Sequence, residues 1–215
     1  MKTIQASFAF VEQFDGIEIL RKIETAGRTA YKSEALIDTD SASQFVAMLI
    51  KRGHFSVIEH HSVTVRVICD RGVSHEIVRH RLASYTQEST RYCNYTQGKF
   101  DGGLTFIEPC FWSSSDPAVK DKRAIWLQAI EAADKAYQEL INLGATPEQA
   151  RSVLPNSLKT EIVITMNLRE WRHFFTLRTA PVAHPQMREI TVPLLSEFKR
   201  RIPIIFDDII PDLTC

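Results

Sequence analysis

The chain has 215 residues, enough for a sizeable core, and its 26 Lys and Arg balance 26 Asp and Glu. That balance argues against a general nucleic-acid binder, which carries a basic excess or a basic face. Cys69, Cys93, Cys110 and Cys215 show no CxxC spacing, which argues against a cysteine zinc site or a redox pair and suggests free thiols in a reducing compartment.

No apolar run nears the ~20 residues of a membrane span, and the first residues lack a signal-peptide layout. The expectation is therefore a cytoplasmic protein with no membrane partner, no nucleic-acid partner and no metal. Residues 4–14, rich in Phe and Val, predict a strand that Asp15-Gly16 turns. Ile17, Leu20, Ile23 and Glu24 set a helical period to about Arg28, and small polar residues from Arg28 to Ser33 suit a loop. Asp40 or Ser41 is expected to cap a second helix that buries Phe45, Val46, Met48, Leu49 and Ile50 and stops at Gly53. Residues 62–69 alternate as a strand with Val63, Val65 and Val67 on one face. His54, His60 and His61 beside Glu59 read as ordinary polar positions, with no second ligand cluster at helical spacing. The run from His75 to His80 looks like a zinc-protease motif, but its second His stands at i+5. On a helix the two rings would lie about 140° apart and could not share a metal.

Residues 93–103 read as a polar loop and 104–107 as a short strand. Ser113, Ser114, Ser115, Asp116 and Pro117 mark a helix start. That helix runs to about Leu143, with Ile125, Ala129, Ala132, Ala133, Ala136 and Leu140 expected inside and Gly144 closing it. Thr146 to Gln149 opens a further helix carrying Arg151. Residues 161–167 are β-branched and strand-like, residues 169–177 form a helix ending at Arg178, and a last helix over 185–201 places Met187, Ile190, Leu194, Leu195 and Phe198 on one side. With no repeat, linker or low-complexity tract, the expected fold is α/β. A single domain over residues 1–215 would have a central sheet flanked by helices.

One stretch is too polar to fill a core. Residues 79–92 hold Arg79, Arg81 and Arg91 with His80, two Ser, two Thr, two Tyr, Gln87 and Glu88, and only Leu82 and Ala83 are apolar. Consecutive residues on a helix splay by about 100°, so Arg79, His80 and Arg81 cannot grip one atom unless the backbone leaves the helix. If the segment from Ser89 to Arg91 is extended, both side chains point the same way. A hydroxyl beside a guanidinium suits a phosphate, because the planar fork gives bidentate charge-assisted hydrogen bonds. On the residues alone, a solvated or interfacial ion-pair face remains open. So does a nucleotide- or RNA-binding module stacking bases on Tyr85, Tyr92 and Tyr95.

The spacing Arg79-His80-Arg81, seven residues, Ser89, followed by Arg91-Tyr92, resembles the signature of the flavin-dependent thymidylate synthases. The block from His54 to His60, the Arg151-Ser-Val-Leu-Pro run, Asn167-Leu-Arg169, Leu177-Arg178 and His184-Pro-Gln186 fall in the family's order. The resemblance implies reductive methylation of dUMP to dTMP, with 5,10-methylenetetrahydrofolate giving the methylene and NADPH the hydride by way of FAD. It also implies a homotetramer with FAD at subunit interfaces. Carried over by position, Ser56, Arg79, His80, Arg81, Gln87, Asn167, Arg169 and His173 would contact FAD. Glu76, Arg79, Gln87, Glu88, Ser89, Thr90, Arg91 and Arg151 would surround dUMP, and Arg178 would be the catalytic residue, facing the uracil and favouring its ionisation. The chain departs from the family pattern at three positions: Glu76 stands where Gln is often found, Gln87 where Glu is frequent, and His173 where Asn can occur. A thymidylate synthase using a Cys93 thiolate is the competing mechanism, but no base stands near it in sequence.

Overall fold

The structure is a computed structural model and describes residues 1–98, 103–112 and 116–211. The expected helix start at residues 113–115, part of the 93–103 loop, and Cys215 lie outside the described residues. The described strands are β1 (Lys2–Ile4), β2 (Ser7–Phe10), β3 (Ser62–Asp70), β4 (Ala83–Gln87), β5 (Thr105–Ile107) and β6 (Lys159–Asn167). The helices are α1 (Gly16–Thr29), α2 (Ser41–Lys51), α3 (Arg71–Ile77), α4 (Pro117–Asn142), α5 (Pro147–Ala150), α6 (Leu168–Arg178) and α7 (Pro185–Arg201). The fold is mixed α/β. One sheet has the strand order β2-β3-β6-β4, and β1 pairs with β5 in a second, parallel ladder, Thr3 opposite Phe106.

The continuous strand expected over residues 4–14 is therefore two short strands. The chain changes sheets between Ile4 and Ser7, and past β2 the Glu12 side chain, rather than a strand ladder, accepts the Thr64 N–H at 2.8 Å. Asp15 caps α1, its carboxylate accepting from Ile17 N at 2.7 Å. Of the two expected caps, Asp40 and Ser41, Asp40 stands at the N-cap of α2, though its side chain makes no capping hydrogen bond. Asp38 Oδ1 accepts from the backbone N–H groups of both, each at 2.8 Å.

The chain resolves into two compact units. The first comprises Met1–Ser7, Val67–Arg79 and Thr86–Val163; the second comprises Phe8–Arg66, His80–Tyr85 and Ile164 onward. In the first, α4 turns a different face inward from the one expected. Trp126, Ile130, Asp134 and Tyr137 are buried while Ile125 is 68% exposed. Counting alanines as core markers misplaced the stripe. The large rings at 126 and 137 bury more apolar area, and Asp134 is fixed inside by accepting the Leu104 N–H at 2.8 Å.

The second unit is built on aromatic rings. Trp171, Phe174 and Phe175 of α6 pack with Phe198 of α7 and with Phe206, ring centroids 5.0 to 5.8 Å apart, within the range of favourable aromatic pairs. Gly16 opens α1 against the end of α7, where a Cβ would lie 2.0 Å from the Arg201 carbonyl oxygen. Gly53 ends α2 at φ +71°, a conformation open to glycine at no steric cost.

Candidate active site

The polar stretch begins where α3 stops. Asp70 caps that helix, accepting from Val73 N at 2.7 Å, and the helix ends at Ile77, so the backbone has left the helix before Arg79. His75 and Glu76 are helical and His80 is not, so the zinc-protease geometry does not exist here. Beyond β4 the segment from Ser89 to Arg91 is a turn, which corrects the extended reading. Ser89 Oγ accepts from Arg91 N at 3.2 Å, and the Ser89 carbonyl accepts from Cys93 N at 3.0 Å. Serine favours this local hydroxyl-to-backbone bond over a ladder.

In the second unit, His80 is 5% exposed and sits against the Phe174 ring at 4.9 Å. Arg178, at the end of α6, donates its Nε–H to His80 Nε2 at 3.0 Å, across a sequence separation of 98. Glu170 Oε1 lies 3.4 Å from His80 Nδ1, and the Tyr85 hydroxyl donates to the His80 carbonyl at 2.6 Å. Burial, then the Arg178 guanidinium and His173, push His80 down to about 4. Burial raises Glu170 above the usual carboxylate range. Burial, then the Glu170 carboxylate, push Tyr85 up to about 12. His80, Glu170 and His173 each bring one ligand atom within 4.8 Å of the others. The guanidinium hydrogen-bonded to His80 opposes a cation there, so the distances describe a hydrogen-bonded network better than a metal site.

Asn167 caps α6, its Oδ1 accepting from Glu170 N at 2.9 Å. Arg169 reaches out to Glu59 at 2.6 Å. With Leu82, Glu170 and His173 these residues line a cavity of about 430 Å³.

Neutral His80 makes stability depend on pH. Its folded value lies below the unfolded one of ~6.5, so between about 4 and ~6.5 the unfolded chain binds more protons. The contribution is full above pH ~6.5 and is lost as pH falls through the folded value, on the order of 3 kcal/mol in all. Glu170 titrates with the opposite sign, since its folded value is raised. Urea midpoints at pH 7 and pH 5 are expected to fall more for the natural chain than for His80→Gln, and equal losses would contradict this.

In the first unit, Gln87 Nε2 donates to Ser74 Oγ at 2.9 Å and to Thr160 Oγ1 at 3.0 Å. Ser74 has already given its one hydroxyl proton to the Arg71 carbonyl, at 2.9 Å, so its oxygen needs a donor. An amide supplies one and a carboxylate cannot, which accounts for Gln at this position. Glu88 accepts from Tyr95 Oη at 2.9 Å and from Lys159 Nζ at 2.6 Å. These residues, with Thr86, Cys93 and Glu161, line a cavity of about 660 Å³. Thr90 is buried. Arg91 lies 3.5 Å from Glu148, three residues before Arg151.

The structure thus joins His80, His173 and Arg178 within one unit, and gathers Gln87 to Arg91 within the other. Arg79, Arg81, Arg151 and Ser56 are exposed and Glu76 is half-buried on α3; the Arg79 backbone N–H donates to the Glu76 carbonyl at 3.3 Å, where that helix ends. Sequence reasoning missed Glu170, Lys159 and the hydroxyls of Ser74 and Thr160. Glu170 sits three residues beyond a capping Asn, a position that usually signals only a helix start. The others carry no motif.

No helix among the described residues is long and apolar enough to cross a membrane. Residues 17–204 match the family model described as thymidylate synthase complementing protein. The flavin-dependent thymidylate synthase of Geobacter sulfurreducens is 37% identical over 193 residues, covering 86% of this chain and 80% of that one. The enzyme of the same description from Pyrococcus furiosus is 34% identical over 189 residues, covering 86% and 72%. Among solved structures, the UMP/dUMP methylase PolB from Streptomyces cacaoi, bound with 5-Br dUMP, superposes with a TM-score of 0.77 at 25% identity over 96% of each chain.

Proposed function

Because this chain belongs to the flavin-dependent thymidylate synthases, and so to the methyltransferases of nucleotide biosynthesis, we propose that it converts dUMP to dTMP. In this proposal 5,10-methylenetetrahydrofolate gives the methylene and NADPH the hydride. The whole of residues 1–215 acts as one synthase domain, assembled as a homotetramer with FAD at the subunit interfaces. The observation that carries the reading is the meeting of the signature His80 with Arg178 at 3.0 Å, which joins the motif to the downstream cation the reaction needs.

The donor set fits a flavin nucleotide. Exposed Arg79 and Arg81 suit a pyrophosphate, and the cavity lined by Leu82, Asn167, Arg169 and His173 offers an apolar surface beside amide and cationic donors. Ser56, His80 and Gln87 complete the proposed FAD contacts. FAD, when bound, supplies hydride transfer from NADPH.

The remaining chemistry belongs to the chain's own residues. Ser89 and Arg91, on one turn, hold the dUMP phosphate, with Arg151 adding charge. Glu76, Arg79, Gln87, Glu88 and Thr90 shape the rest of the nucleotide pocket. Arg178 stands beside the uracil and stabilises negative charge as N3 ionises, enriching C5 for attack on the methylene carbon. Incubation with dUMP, FAD, NADPH and methylenetetrahydrofolate is expected to yield dTMP, and omission of FAD to prevent it. Absence of dTMP from the complete mixture would overturn the proposal.

A further inference from the structure

Which ring nitrogen of His80 carries the proton is fixed by its neighbours. The Arg178 Nε–H cannot accept a hydrogen bond and keeps its proton at any ordinary pH. Its partner at 3.0 Å, His80 Nε2, must therefore be the acceptor. A neutral imidazole then holds its proton on Nδ1, and the atom facing Nδ1 is Glu170 Oε1, at 3.4 Å. Glu170 is only 7% exposed, and its backbone is anchored by the Asn167 cap. Glu170 and Arg178 stand eight residues apart on α6, about 12 Å along the helix. The imidazole bridges two side chains too far apart to meet.

We propose that Glu170 is a positioning residue for the reaction. By accepting the Nδ1 proton of His80, it keeps Nε2 free as the acceptor that holds Arg178 in place. The other titratable groups around the ring do not take over this role. Tyr85 bonds the His80 backbone carbonyl, and the His173 ring is 5.7 Å away by centroid, edge-on. Phe174 covers the ring's remaining side. Without an acceptor at Nδ1 the ring is free to move its proton to Nε2. Two N–H groups would then face each other, and Arg178 would lose its anchor. The inference rests on Arg178 being the activating cation, and the test separates the two claims.

The full chain, labelled with ¹⁵N-histidine and free of added FAD, would be observed by NMR from pH 6 to pH 8, His80 being assigned by the signal lost in His80→Gln. The natural chain and Glu170→Gln are expected to show the Nδ1–H form of His80, because a glutamine oxygen still accepts. Glu170→Leu, or Glu170→Ala should the leucine variant not fold, is expected to shift the ring toward Nε2–H. With FAD and substrates, kcat is expected to fall roughly tenfold to a hundredfold in the leucine variant and to be restored in the glutamine variant. Persistence of the Nδ1–H form in Glu170→Leu overturns the proposal, as does an equal loss of kcat in both variants. A changed proton position with unaltered kcat overturns the positioning role. If Arg178→Ala measured alongside also keeps its turnover, the fault lies with the role given to Arg178.

Discussion

Replacing Arg178 with alanine is expected to lower kcat by about a hundredfold to a thousandfold, the cost typical of removing a fixed charge that stabilises a developing anion. Flavin binding is expected to survive. Arg178 donates its Nε–H to His80, and the Thr191 hydroxyl donates to its backbone carbonyl at 2.8 Å. The first bond fixes a cation in a half-buried position, where electrostatic effects exceed those in water. The FAD contacts assigned to Arg79, Arg81, Asn167 and Arg169 are untouched by the change. Single-turnover formation of dTMP, with the flavin spectrum recorded on the same sample, checks both halves. Full turnover in the variant would show that another group activates the uracil.

The second large effect is on stability. Trp171→Ala is expected to lower the free energy of unfolding by about 3–5 kcal/mol, the range for truncating a large core aromatic. Trp171 is fully buried, stacks on Phe175, and donates its indole N–H to the Val63 carbonyl at 3.0 Å. Truncation leaves a cavity among rings and a buried carbonyl without its donor. Because α6 carries Asn167 as its cap and Arg169, His173 and Arg178 along its length, activity is expected to fall with stability. Urea titration measures the loss, and Trp171→Phe, which keeps most of the ring packing, should cost less.

How far the sequence could be read depends on the kind of signal at each position. The final helix was legible to its ends because Pro185 and its apolar period agree, and Asp116 and Thr146 announced their helices, whereas Asp15, read only as part of a turn, also caps α1. The inward face of α4 was not legible, because alanine reads as apolar in a pattern yet buries little area, while the buried Asp134 reads as surface. The signature spacing singled out His80, but not the reason for it. The distance from His80 to Arg178 is set by folding together residues far apart in sequence, and no local pattern encodes such a contact. Glu170 and Lys159 were missed for the same reason: their partners, His80 and Glu88, lie far from them in the chain. The turn at Ser89 was misread because strand alternation was extended past the end of β4, although serine next to a polar run also favours a turn.

The proposed activity requires that this chain hold a flavin which NADPH reduces on behalf of dUMP. The most direct test mixes the protein with FAD, removes unbound flavin by desalting, and records the visible absorption during anaerobic titration with NADPH, with and without dUMP. A retained oxidised-flavin spectrum that bleaches as NADPH is added is the expected result. A protein that leaves the column without flavin, or whose flavin NADPH does not bleach under either condition, would contradict it.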